Sequence, residues 1–229
     1  MGSIFSVSSL AIAVGAISIC SVGALAVPIE EGGHNDIWVT SSNGQLVTGG
    51  WDDTTGEVTN PTQRVFEADF GADPFFPFSG DEPGIGSDLI GSTLYLTISA
   101  GLGAWTGTGF ELSTSMVSMS YGGQSGDTAS GGFFNFLVTE GLDLHAEFAL
   151  SGPGGEDPSS GLYLATFRFE SAGFADSAPL WVVFNLGMSE ADHEAAVVWV
   201  ESNLLPAPGV MAIAALSAIT GAGSRSRRR

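Results

Sequence analysis

Ser92-Thr93-Leu94-Tyr95-Leu96-Thr97-Ile98-Ser99 sets Leu94, Leu96 and Ile98 on one side and mostly polar neighbours on the other. A period of two is the signature of a half-buried strand, so this stretch predicts a strand with one face in a core. Arg64-Val65-Phe66-Glu67-Ala68-Asp69-Phe70 alternates in the same way. Upstream, Asp36-Ile37-Trp38-Val39-Thr40 and Gln45-Leu46-Val47-Thr48 flank Ser42-Asn43-Gly44, which is turn chemistry, and together they read as a hairpin.

Downstream the signal recurs at residues 112–121, 133–138, 145–150, 162–169 and 180–186, each stretch bounded by Gly, Pro or Ser clusters. The count is about eight or nine strands with no helices between them, which predicts an all-β fold, an antiparallel β-sandwich of jelly-roll-like form. One helix is expected over residues 190–202. Ser189 caps it, Glu190, Asp192 and Glu194 load its first turns, and Ala195, Val198 and Trp199 share an apolar face. His193 stands between acidic neighbours and reads as a solvated surface residue. Residues 70–84, with three prolines, four Phe and several carboxylates, are excluded as a central strand. They read as a long crossover whose Phe side chains plug the mouth of the sandwich, and their carboxylate and carbonyl oxygens are the donors that Ca²⁺ prefers.

Composition bounds what such a fold can bind. The chain has 6 basic residues, all Arg, against 25 acidic ones. Four of the six, Arg225, Arg227, Arg228 and Arg229, stand in the last five positions, which leaves Arg64 and Arg168 to offset every Asp and Glu of the middle. A field this negative repels phosphate, so no nucleic acid partner is expected. The single cysteine, Cys20, lies in the N-terminal apolar run, and the rest of the chain contains no thiol for disulfides or thiolate chemistry.

Both ends read as addresses. Residues 4–22 are almost entirely apolar or small and lead to Ala24-Leu25-Ala26, the form of an export signal helix cleaved after Ala26. Residues 1–5 lack the usual Lys or Arg, and Ile19 before Cys20 argues against a lipoprotein signal. At the other end, Pro206-Ala207-Pro208-Gly209 is followed by the uncharged residues 210–223 and then by the arginines, an order that keeps the extreme C-terminus on the cytoplasmic side of a membrane. As a helix residues 210–223 measure roughly 21 Å, short of a hydrocarbon core of about 30 Å and suited to a transient transmembrane segment. The expected organisation is a signal peptide (1–26), an acidic β-sandwich (27–203) and a sorting tail (204–229).

The tail resembles that of PEP-CTERM exported proteins, which carry a short proline motif, an apolar helix and a terminal arginine cluster in this order. Ala207 stands where that family most often has Glu. The resemblance implies recognition by an exosortase after passage through the export machinery, and removal of the apolar helix with its arginines. Blocks of the middle are similar to exported PEP-CTERM proteins that have no assigned activity: His34-Asn35-Asp36-Ile37, residues 43–49, 65–71 and 81–84, Asp143-Leu144-His145-Ala146-Glu147-Phe148 and residues 183–189. The likeness implies that the His-x-Asp and His-x-Glu pairs belong to the family pattern.

Residues two apart on a strand face the same way, so His34 with Asp36, and His145 with Glu147, each present an imidazole beside a carboxylate. If the two strands meet, they make a divalent metal site for Zn²⁺ or Ca²⁺. Trp38, Trp51 and Trp105 offer a third reading, a platform for extracellular polysaccharide. Catalytic motifs are absent: Gly123-Gln124-Ser125-Gly126-Asp127 misses the G-x-S-x-G spacing, no His-Glu-x-x-His occurs, and a lysine-free chain has no P-loop. The expectation is an exported, non-catalytic protein of the cell surface or extracellular matrix, anchored transiently by its tail, with metal-binding or carbohydrate-binding modules as the alternatives.

Overall fold

The computed structural model describes residues 35–72 and 74–206. They are mostly β-sheet with one helix, and the sheets take a barrel-like arrangement. The smaller sheet has four strands, β1 (Asp36–Ser42), β2 (Gln45–Asp52), β3 (Glu57–Asn60) and β6 (Ile85–Ser87), in the order β3-β2-β1-β6. The larger has eleven: β4 (Val65–Asp69), β5 (Ser79–Gly80), β7 (Thr93–Ile98), β8 (Gly103–Trp105), β9 (Phe110–Leu112), β10 (Met116–Tyr121), β11 (Gln124–Asp127), β12 (Gly131–Leu137), β13 (Glu147–Ser151), β14 (Gly161–Glu170) and β15 (Leu180–Leu186). Its path runs β4-β15-β14-β7-β12-β11-β10-β13-β5, with β8 and β9 attached beside β14.

Two features depart from the sequence reading. Fifteen strands form among the described residues, because several predicted runs break and short partners fill between them. Residues 112–121 divide at Ser113, whose hydroxyl accepts from Ser115 N in a tight turn and whose N–H is drawn to Leu102 O. Pairing is also not wholly antiparallel, since β1–β6 and β4–β15 are parallel.

The expected hairpin forms with Asp36 opposite Trp51 and Ser42 opposite Gln45. Asn43 and Gly44 both take positive φ, 52° and 79°, the mirror-image turn whose twist suits a two-residue hairpin. Leu94, Leu96 and Ile98 are all buried and meet Phe134, Phe136, Phe167 and Phe169 from the neighbouring strands. The large sheet curls until its two ends approach. A Cβ on Gly80 in β5 would stand 3.0 Å from Asp69 O at the end of β4. Inside, Phe70 stacks on Phe184 at 5.0 Å, and Phe184 meets Phe148 of β13 at 5.4 Å. Each such side chain contributes about 1.5–3 kcal/mol on burial.

Strand β15 is buried on both faces, which its unbroken apolar run requires. Leu180, Val182, Phe184 and Leu186 face the main core, while Trp181 and Val183 face a second cluster with Val65, Leu162 and Leu164. The helix α1 (Glu190–Asn203) covers that second face with Ala196, Val197 and Val200. The predicted face of Ala195, Val198 and Trp199 is therefore corrected: Ala195 and Val198 are exposed, and Trp199 packs on a flank. His193 is corrected too, from surface to 1% exposed. It lies on the inward stripe 193, 196, 197, 200, which is helical spacing.

Candidate functional site

Three chain segments meet where the small sheet touches the large one. Ile37 N donates to Gly84 O at 2.9 Å, and Ile85 bridges Leu144 through two backbone bonds of 2.9 and 3.1 Å. Ile37, Ile85 and Leu144 all point into the core, so alternation sends Asp36, Gly84, Asp143 and His145 to the other side. Hydrophobic patterning in three separate places thus assembles a polar cluster.

Asp36 is its buried member, at 1% exposure. Its Oδ1 accepts from Gly84 N at 2.7 Å. Glycine is required at 84, because a Cβ there would lie 2.9 Å from Cγ and both oxygens of Asp36. Glu82 Oε2 accepts from the same amide at 3.1 Å, which draws the two carboxylates together. Burial, then the charge of Glu82, pushes the Asp36 carboxyl up to about 7.

His145 is half-exposed and ringed by acids. Its Nε2 stands 3.1 Å from Asp143 Oδ1, and its Nδ1 stands 3.2 Å from Asp81 O and 3.7 Å from Glu82 Oε1. Partial burial alone lowers an imidazole pKa, but Glu82, Asp143 and Asp36 outweigh it and hold His145 above its ordinary value. Two donor sets share the ring: Asp36, Asp143 and His145, and Asp81, Glu82 and His145. In each, one ligand atom per residue lies within 4.8 Å of the others. The two arginines among the described residues are placed elsewhere, Arg168 beside Glu170 and Asp176 and Arg64 over the Trp181 ring.

The structure therefore joins Asp36 and His145 from the expected set and leaves Glu147 out of both donor groups. Glu147 is exposed on β13, opposite Ser120, two residues along from His145 and about 6.6 Å further by strand rise. His34 lies outside the described residues, as do Ala24, Ala26, Ala207, Pro208, Gly209, Arg225, Arg227, Arg228 and Arg229; Pro206 is the last one described. Asp81, Glu82 and Asp143 complete the cluster. The first two belong to the loop whose oxygens suggested a cation, and only the tertiary meeting of Ile85 with Leu144 reveals that this loop and the histidine are one site. Of the loop's Phe side chains, Phe70 is buried and Phe78 is packed on the core, while Phe75 and Phe76 are exposed.

The three tryptophans do not form one platform. Trp51 is buried, Trp38 is half-buried against it at 5.6 Å, and Trp105 packs on Phe110 and Trp199. An open groove of about 330 Å³ lies instead on the outer face of the large sheet, lined by Tyr95, Thr97, Phe133, Glu170 and Asp176. Phe133 is half-exposed there, edge-on to Tyr95 at 5.7 Å.

No family model matches this chain, and no curated protein matches it. Among the described residues no helix is long and apolar enough to cross a membrane.

Proposed function

We propose that this chain is an exported, non-catalytic module of the cell surface or extracellular matrix. It is built as a jelly-roll-like sandwich, is sorted through its C-terminal tail by an exosortase, and holds a divalent cation at Asp36, Asp143 and His145, with Glu82 and Asp81 on the other side of the ring. The observation that carries the cation is the meeting of four carboxylates and one imidazole from three chain segments with no Arg or Lys among them. Paired carboxylates with a neighbouring imidazole suit Zn²⁺, with Nδ1–H donated to Asp81 O and Nε2 left as the ligand, and the carboxylate oxygens also suit Ca²⁺. Bound there, the ion ties the start of β1 to the segment before β13.

Native mass spectrometry of the full-length chain is the test. One Zn²⁺ or Ca²⁺ per chain is expected, lost in Asp36→Asn and His145→Ala; a metal-free spectrum with either ion in excess removes the cation. Intact mass of the surface fraction tests the sorting, with a new C-terminus expected near Pro206 to Gly209. An unclipped chain recovered from the cytosol rejects export. A polysaccharide partner is the second reading, favoured by the exposed Phe133 ring beside Tyr95. It predicts that retention on a neutral glycan matrix disappears in Phe133→Ala.

A further inference from the structure

At the edge of the second core, Trp105, Phe110, Trp199 and Leu205 are half-buried. The three rings touch one another at 5.1, 6.1 and 5.7 Å between centroids. Gly109 lies against the rim, where a Cβ would come within van der Waals contact of the Trp199 indole at 3.4 Å. Each of the four keeps part of its surface exposed among the described residues, and Leu205 stands one residue before the last of these. The helix ends at Asn203, Leu205 belongs to the rim, and the uncharged run begins five residues later at Val210.

We infer that the Trp105–Phe110–Trp199–Leu205 rim rests in the headgroup interface of a lipid bilayer, against zwitterionic lipid, beside the point where the tail enters it. The inference rests on the reading of the tail as membrane-entering and adds a second point of contact. Five extended residues reach at most about 17 Å, so a tail that enters the bilayer at Val210 keeps Leu205 within that distance of the surface. Trp favours this depth, with an apolar body in the acyl boundary and an N–H in the headgroups, and Phe and Leu beside it add apolar surface at the same boundary. Charge selects the lipid. Glu111 beside Phe110 and Glu201 on the last turns of α1 are both exposed, and an anionic surface would be repelled by them. Arg64 lies over Trp181 of the same cluster, and its Nε is buried without a hydrogen-bond partner.

Reconstituting the full-length chain into phosphatidylcholine vesicles with brominated acyl chains tests this through tryptophan emission. The chain is expected to float with the vesicles and to be quenched. The quenched fraction should fall more than twofold in Trp105→Phe/Trp199→Phe, since interfacial indoles report the contact, and should not fall in Trp38→Phe. Leu205→Glu, at the rim's edge, should also lower quenching with the core rings intact. A floating chain that is not quenched, or is quenched equally in both rim variants, overturns the rim contact and leaves the tail reading standing. A chain that does not float overturns both.

Discussion

Two histidines of this chain stand beside carboxylates, and the fold uses them in opposite ways. His145 is half-exposed among Asp36, Asp81, Glu82 and Asp143, each of which offers it an oxygen or a charge. His193 is 1% exposed under α1, and its Nε2 lies 2.9 Å from Val183 O. A carbonyl only accepts, so that nitrogen carries the proton and donates. Glu67, paired with Val183 in the parallel register, is half-buried beside it, and burial pushes its carboxyl up despite the pull of His193. One imidazole is placed for ligands and protons, the other has its own ring N–H satisfied by a strand carbonyl beneath the helix. What separates them is the element each sits on, not the residues beside it in sequence.

The largest expected effect tests this contrast directly. His193→Ala removes the buried ring that donates to Val183 O and opens a cavity beneath α1, which should cost about 2–4 kcal/mol in urea unfolding. His145→Ala in EDTA should cost under about 1 kcal/mol, because a half-exposed ring among acids is replaced by water. Equal losses would erase the distinction between a structural and a ligand-facing histidine.

That distinction marks how far the sequence could be read. The alternation at residues 92–99 identified a core strand, and the Asn43-Gly44 turn identified the first hairpin, because both signals are local. The helix was legible in extent, and Ser189 does cap it by accepting from Asp192 N. Its buried face was not. Ala195-Ala196-Val197-Val198-Trp199-Val200 is apolar almost all round, so composition could not choose the stripe; contact with β15 chose it. The site was half legible. Asp36 and His145 were singled out by their spacing to other residues, but the partners that His145 meets come from residues 81–84 and 143, through the Ile85–Leu144 bridge. A long-range pairing of this kind leaves no periodicity to read.

Protons give the next contrast. Asp36 titrates near 7 in the fold and near 3.8 when free, and His145 is held above 6.5. Both groups keep protons in the folded state that the unfolded chain gives up. Stability from them is therefore fully present at acid pH and is lost as pH rises through about 4 to 7 for Asp36, and above 6.5 for His145. Without metal, stability should fall by on the order of 2–3 kcal/mol between pH 5 and 8, and Asp36→Asn should flatten most of that slope. A bound cation replaces the protons, so its affinity should rise over the same range. A slope that Asp36→Asn leaves intact would move the titration away from this cluster.

Ser189→Ala sharpens the other half of the comparison. Its hydroxyl accepts from Asp192 N at 3.3 Å and sits 2.6 Å from Asp192 Oδ2, one turn before His193. Losing the cap should cost about 1 kcal/mol and loosen the His193 bond to Val183, read as faster hydrogen exchange at the start of α1. Exchange at His145 and its neighbours should not change, since the two regions share no element.

The smallest effect comes from Glu147→Gln. On strand alternation alone this carboxylate is a companion of His145, and a metal site built from i, i+2 pairs would lose a ligand with it. In the fold, His145 precedes β13 and turns toward Asp143 and the Glu82 loop, while Glu147 starts the strand and lies out on its exposed side opposite Ser120. A change there should leave unfolding within about 0.5 kcal/mol of the native chain, with the cation response and the pH slope unaltered. Asp143→Asn should weaken both, although Asp143 is more exposed than His145. If Glu147→Gln abolished cation binding and Asp143→Asn did not, the strand pair would be the true unit of the site. The convergence through Ile37, Ile85 and Leu144 would then be a packing feature with no chemical consequence.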